Sequence, residues 1–466
     1  MVTPLDPTAA AFLLAENRQQ PMHVGGLQLF EPPEDAGPDY VREMFAASLA
    51  PDDISPLFLR RPPRSIATGG QWTWVEDDQF DCDYPVRHSA LAAPGRIREL
   101  LDLCGRLHGT RLALERPLWE THIIEGLEDG RLATYTKIHH ALVDGVSSMR
   151  LLQSVLSKDP DERDMPPPWG RTQVEKAQAQ GQHDQSLLDL PVSAFRSAFA
   201  IAAEAAGMPA ALLRTLTRGV RNDTSALSLY APRTVINKPI TGSRRFAAQS
   251  WEMERMRSVG AATSTTLNDV VLAMCSGAMR RYLLELGALP DSTLVAMVPV
   301  GLKAKEAGTA SATGGNAVGC VMVKLGTDIE DPAERLRSIH RSMASGKEAL
   351  GTMTPVQIMA MSAIGMAPAV LPAMLGLQGI TRPPFNLIIS NVPGPKEPHY
   401  FNGARLAGMW PLSIPIHGMA LNITCTSYNG EMGFGLTGCR RRVPHLQRLL
   451  VHLDDELADL EKAAGV

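Results

Sequence analysis

Lys137-Ile138-His139-His140-Ala141-Leu142-Val143-Asp144-Gly145 joins a histidine pair to an Asp-Gly that follows the second histidine by four residues. The residues before it set its local structure. Trp119 to Leu127 is rich in apolar and β-branched side chains, Asp129-Gly130 is a favoured two-residue turn, and Arg131 to His140 reads as a returning strand, so the pair predicts a hairpin. The histidines then end a strand. Successive strand side chains point to opposite faces, so one of His139 and His140 faces a site and the other packs. An imidazole, whose charge changes near pH ~6.5, accepts and returns a proton under cell conditions, which is the chemistry of moving a group between two nucleophiles.

Two rival readings are weaker. A metal centre of His139, His140 and Asp144 is disfavoured by strand alternation and by the lack of a further Cys or His nearby at ligand spacing. A histidine satisfied inside a core is the commoner fate of an isolated pair, but here the Asp-Gly spacing and the motifs below weigh against it.

The chain has 466 residues, of which 44% are hydrophobic and 20% charged, enough for two or three globular domains. A net charge of -4 and no long Lys/Arg run leave no electrostatic footprint for nucleic acid. Six scattered cysteines without a Cys-x-x-Cys fit buried thiols in a reducing cytoplasm, and the N-terminus shows no signal-peptide pattern.

Ser157 to Gln185 is polar and Pro-rich, which predicts a linker. The expected organisation is an N-terminal domain over 1–160, a linker with crossover helices over 161–243, and a C-terminal domain over 244–466. In the last, strands are expected near Leu294–Val300, Asn316–Leu325, Phe385–Ser390 and Ala420–Tyr428, with helices at Thr266–Leu286 and Asp331–Leu350. Strands mixed with helices in both parts indicate an α/β (α+β) architecture of two similar-sized domains.

Ala349 to Thr381 contains no charged residue and is long enough to span a bilayer, at ~20 residues for the core. Pro355, Pro368 and Pro372 break it, so it reads as buried short helices or as a Met-rich surface that meets lipid or lines an apolar tunnel. Helices are expected between Leu187 and Val220. Arg214, Arg218 and Arg221 near their end form either a solvated helix end or a contact for phosphate or an anionic membrane. Gly433-Phe434-Gly435-Leu436-Thr437-Gly438 spells a dinucleotide fingerprint, but it sits inside a predicted strand with no following helix. There is no P-loop and no Gly-x-Ser-x-Gly elbow, which disfavours nucleotide hydrolases and serine hydrolases.

The His139-His140-x-x-x-Asp144-Gly145 segment resembles the signature of the coenzyme A-dependent acyltransferase superfamily. Over nearly its full length the chain resembles, more narrowly, the bacterial wax ester synthase/diacylglycerol acyltransferase family. The narrower resemblance is carried by Pro21-Met22-His23-Val24-Gly25-Gly26, Pro117-Leu118-Trp119-Glu120, Leu267-Asn268-Asp269-Val270-Val271 and Ser390-Asn391-Val392-Pro393-Gly394-Pro395, in that order around the histidine motif.

The resemblance implies two facing domains with mixed sheets flanked by helices and a channel between them. It implies an O-acyltransferase that moves a long-chain acyl group from acyl-CoA, a co-substrate, to diacylglycerol or a long-chain alcohol, with no resident cofactor or metal. His140 would be the general base, with no covalent acyl-enzyme. Asp144 would hold the loop through an arginine, while His139 packs. Gly145 is expected to permit tight backbone geometry beside the histidine. Asn268 is either part of a helix start capped by Thr265 or Thr266, or a donor to the reacting carbonyl. Leu118 and Trp119 are expected to wall the substrate path, and Ser390 to Pro395 to form a rigid structural turn. Peripheral contact with the membrane or lipid droplets from the cytoplasmic side is expected. The alternatives are a condensation or polyketide-type acyltransferase with a carrier-bound donor, and a non-catalytic lipid-droplet binding protein.

Overall fold

The fold is built around two six-stranded sheets, seen in a computed structural model that describes residues 3–5, 7–49, 53–64, 70–183, 231–302, 317–351 and 383–466. The strands are β1 (Thr3–Pro4), β2 (His23–Glu31), β3 (Arg60–Arg61), β4 (Thr73–Glu76), β5 (Val86–Ala90), β6 (Trp119–Glu125), β7 (Leu132–His139), β8 (Arg244–Glu252), β9 (Val295–Leu302), β10 (Ala317–Lys324), β11 (Leu387–Val392), β12 (Tyr400–Phe401), β13 (Ala404–Leu412), β14 (Leu421–Tyr428) and β15 (Glu431–Cys439). Helices of the first part are α1 (Pro7–Ala15), α2 (Tyr40–Leu49), α3 (Pro56–Leu59), α4 (Ile97–Gly109), α5 (Gly145–Ser154) and α6 (Arg171–His183).

The first sheet runs β12-β13-β2-β7-β6-β5 and the second β10-β9-β11-β14-β15-β8. Both are mixed: β5 lies parallel to β6, and β11 lies parallel to both β9 and β14. The expected hairpin forms, with Trp119 opposite Ile138 and Ile124 opposite Ala133. Its turn differs from the expected two-residue one. Gly126 and Gly130 take positive φ, Gly130 N–H bonds Leu127 O, and Glu128 N–H reaches Gly95 O, so a neighbouring loop fixes a longer connection.

The polar segment after Ser157 is not wholly a linker, because its second part is α6, packed on α5. Good helix formers (Glu175, Lys176, Ala177) sit there, and Trp169, Val174 and Ala177 supply an apolar side to a core with Phe58, Trp119, Ile138 and Leu151. Composition marked the polar face and missed the buried one.

Residue 244 begins the second sheet but does not end the first. β12 and β13 come from the later part of the chain yet extend the first sheet, with β13 antiparallel to β2 from Arg405 opposite Glu31 to Leu412 opposite Gly25. β13 also presses on the second sheet. A Cβ at Gly435 would collide with Pro411 O, and one at Gly433 would lie 2.9 Å from Met409 O. Gly433 and Gly435 thus admit a neighbouring backbone rather than a phosphate.

Near Ser390 to Pro395 the same rule applies: a Cβ at Gly394 would collide with Ser427 O, and Pro395 O accepts from Asn429 N–H. The second sheet is covered by the helices Leu267–Glu285, Pro332–Gly351 and Arg448–Ala464, over a core including Val270, Met274, Ile389, Ile423, Phe434 and Leu453. Among the described residues no helix is long and apolar enough to cross a membrane. The helices expected at 187–220 with Arg214, Arg218 and Arg221, and the uncharged stretch from 352 onward, lie outside the described residues.

Candidate active site

β7 lies between β2 and β6, and its end delivers the histidines. His139 N–H donates to Leu118 O on one side at 2.9 Å, and His140 N–H to Met22 O on the other at 2.8 Å. The chain then turns, with Leu142 N–H on His139 O, and enters α5. Asp144 caps that helix: one carboxylate oxygen accepts Ser147 N–H at 2.9 Å and the other Ser147 Oγ at 2.7 Å.

The two rings have different surroundings. His140 stacks on Phe12 of α1 with centroids 4.2 Å apart and planes inclined by 19°. Among the described residues its buried Nδ1 has no hydrogen-bond partner. Burial pushes the imidazole down to about 4 and His139 adds to this, although the charge of Asp144 acts the other way. His140 is therefore neutral near pH 7 and free to accept a proton.

His139 is fully buried. Its Nδ1 accepts Ala141 N–H at 3.0 Å, while Nε2 faces Glu16 Oε1 at 3.6 Å. Glu16 follows the end of α1, one turn after Phe12, and also meets Arg111 at 2.8 Å and Met22 N–H at 3.2 Å. Burial pushes its carboxyl up, but His139 and Arg111 outweigh this and hold it below the ordinary carboxylate value.

A second pair of buried histidines backs the site. His23, opposite His139 in the ladder, contacts His108 O through Nε2 at 2.9 Å. The His108 ring accepts from Tyr135 Oη at Nδ1 and donates to Ser413 O from Nε2, both at 2.9 Å. Burial drives both rings down, His108 to about 3. Ser413 follows β13, so this contact joins the site to the later part of the chain.

The other sequence candidates fall as follows. Gly145 does not have a positive φ, and among the described residues a Cβ there would meet Val24 Cγ1 at an ordinary 3.8 Å, so neither the backbone angle nor that neighbour requires a glycine. Leu118 is fully buried with Leu13, Trp74 and Leu112, next to Ala141 and Leu142. Trp119 is 1% exposed, donates from Nε1 to Phe58 O, and packs against the rings of Phe58 and Trp169. Both shape the strand end from inside the core.

Thr266 is the cap of the helix Leu267–Glu285, with Asp269 completing a capping box. Asn268 is half-buried there, with no hydrogen bond or ion pair to the histidine segment among the described residues. Phe12, Glu16 and Arg111 were missed. A lone carboxylate closing the apolar run Ala9–Ala15 was the available signal, though nothing local says where that helix docks. Among the described residues no group of three or more His, Cys, Asp or Glu is placed to hold a metal ion.

The family described as the wax ester synthase/diacylglycerol acyltransferase catalytic domain matches residues 5–271, which include the whole histidine segment, and the WS/DGAT C-terminal domain matches 314–461. The chain belongs to the wax ester synthase/diacylglycerol acyltransferase family. It is an acyltransferase. It is 46% identical over 461 residues, 99% of each chain, to a probable diacylglycerol O-acyltransferase (tgs2) of Mycobacterium tuberculosis. It is 42% identical, with a TM-score of 0.79 over 100% of both chains, to the solved wax ester synthase/diacylglycerol acyltransferase of Marinobacter aquaeolei. The first condensation domain of the CDA synthetase shares the fold, with a TM-score of 0.54 at 17% identity, covering 100% of this chain and 96% of that one.

Proposed function

We propose that this member of the family transfers a long-chain fatty acyl group from acyl-CoA to diacylglycerol or a long-chain alcohol, with His140 as general base. The observation that carries the reading is the imidazole buried at the end of β7, inside the matched catalytic segment, where burial disfavours its charged form. His140 takes the proton of the acceptor hydroxyl as its oxygen attacks the thioester carbonyl. The C–O bond forms, the C–S bond breaks, and the imidazolium returns its proton to the coenzyme A thiolate. Oxygen replaces sulfur directly, so no acyl-enzyme is needed. Asp144, whose charge favours the imidazolium, supports the proton-bearing state. Asn268, half-buried at its helix start, is the candidate donor to the carbonyl oxygen.

Release of thiol from palmitoyl-CoA, followed with diacylglycerol or hexadecanol as acceptor, tests the assignment. His140→Ala should lower kcat by ~10² to 10⁴, the usual worth of positioned proton transfer. Wild-type turnover in that variant would remove His140 from the mechanism. Contact with a membrane or lipid droplet surface goes with acceptors this apolar, and flotation with phosphatidylglycerol vesicles, with or without dioleoylglycerol, measures it.

A further inference from the structure

We propose that Phe12 is a positioning residue for the reacting imidazole: its ring, delivered by α1, stacks on His140 and sets the plane in which that base meets the acceptor hydroxyl. The inference rests on the reading of His140 as base.

Three observations carry it. First, the rings lie nearly parallel with centroids at 4.2 Å, and His140 Nδ1 is buried without a hydrogen-bond partner. In Ser-His-Asp sites a hydrogen bond at one ring nitrogen holds the base in its working orientation. Among the described residues His140 has no such bond at Nδ1, so a flat partner against its face restrains the ring instead.

Second, the helix that bears Phe12 is tied down at its end. Glu16, one turn later, meets Arg111 and Met22 N–H, and Gln20 Nε2 donates to Ala15 O at 3.1 Å. Third, the later part of the chain holds the same segment. His417 N–H donates to Gln20 Oε1 at 2.8 Å, and Arg244 Nη2 donates to Gln19 O at 2.7 Å. Assembly of both parts therefore fixes where the Phe12 ring stands.

The stack also keeps water from the base. The charged and titratable groups around it are Asp144 ahead of α5 and His139 on β7. Beyond His139 stand Glu16, paired with Arg111, and His23 on β2. None of these is altered by changing Phe12. Removing the aromatic face should admit water and let His140 titrate nearer the ordinary histidine value.

The test compares Phe12→Leu, which keeps apolar bulk but loses the flat face, with Phe12→Tyr, which keeps the face. Each is checked for a wild-type melting transition and assayed from pH 4 to 8. Phe12→Leu should lose about tenfold to a hundredfold in kcat, as a small misplacement of a reacting group does. Its KM for acyl-CoA should stay within about twofold, because the lost interaction is not substrate binding. The acid limb of its rate profile should move up toward pH ~6.5. Phe12→Tyr should recover most of the rate.

Carbethoxylation of His140, read by peptide mass, should be faster in Phe12→Leu than in wild type. Equal losses in the two variants, or a Phe12→Leu enzyme with wild-type kcat and acid limb, overturn the inference. His140→Ala separates the two failures. If it is active, the base reading falls and this inference with it. If it is inactive beside an unaltered Phe12→Leu enzyme, only the inference falls.

Discussion

Two helices of this protein begin beside an aspartate that a sequence motif singles out, and the two aspartates do similar local work. Asp144 accepts the N–H and hydroxyl of Ser147 at the start of α5. Asp269 accepts the N–H and hydroxyl of Thr266 at the start of Leu267–Glu285. What differs is the histidine nearby. His340 gives its Nδ1 to the Asp269 carboxylate at 2.8 Å. Among the described residues His140 has a buried Nδ1 without a hydrogen-bond partner, lies under an aromatic ring, and feels the charge of Asp144. A motif carboxylate is thus a helix-capping device by default. It acquires a chemical role only where the histidine beside it is left able to take a proton.

The contrast can be broken from either side. Asp144→Asn keeps an oxygen to accept Ser147 N–H but removes the charge that favours the imidazolium. It should lower kcat by about tenfold to a hundredfold, with little change in melting temperature. A variant as active as wild type would return Asp144 to a purely structural part.

Asp269→Ala should do the reverse, removing one half of a capping box and a histidine contact. Urea titration should show a loss of about 1–2 kcal/mol in stability. The contrast fails if this variant melts like wild type yet cannot turn over.

The smallest effect concerns pH. The His140 imidazole is held down to about 4 in the folded state, so the unfolded chain binds its proton first. The associated stability is fully present above ~6.5 and is lost as pH falls toward 4, at about 1 kcal/mol per pH unit for this one group. Denaturation of wild type and His140→Ala between pH 6.5 and 5 should therefore differ in slope, and identical slopes would mean that His140 is charged when folded.

Much of this arrangement is legible in the sequence. The β6–β7 hairpin could be read because alternation and turn residues are local properties. The helix starting at Leu267 could be read because Thr266 and Asp269 cap each other across a single turn. The family resemblance, carried by five ordered motifs, pointed to the chemistry. α1 was out of reach for a physical reason: Pro7–Ala15 is apolar on every side, so it has no face by which to infer its docking. Hence Phe12 and Glu16 went unread although they lie against the two histidines the sequence singled out. The helical half of 157–185 was hidden by its polar face. The destination of β13 was hidden because strand pairing over several hundred residues leaves no local mark.

That strand has one more consequence. β2 is covered along its free side only because Ala404–Leu412 lies beside it, so a chain cut ahead of residue 244 would bare the N–H and C=O groups of a nine-residue edge. The later part of the molecule thus acts as a built-in chaperone for the earlier one, shielding a sticky border that it cannot shield alone.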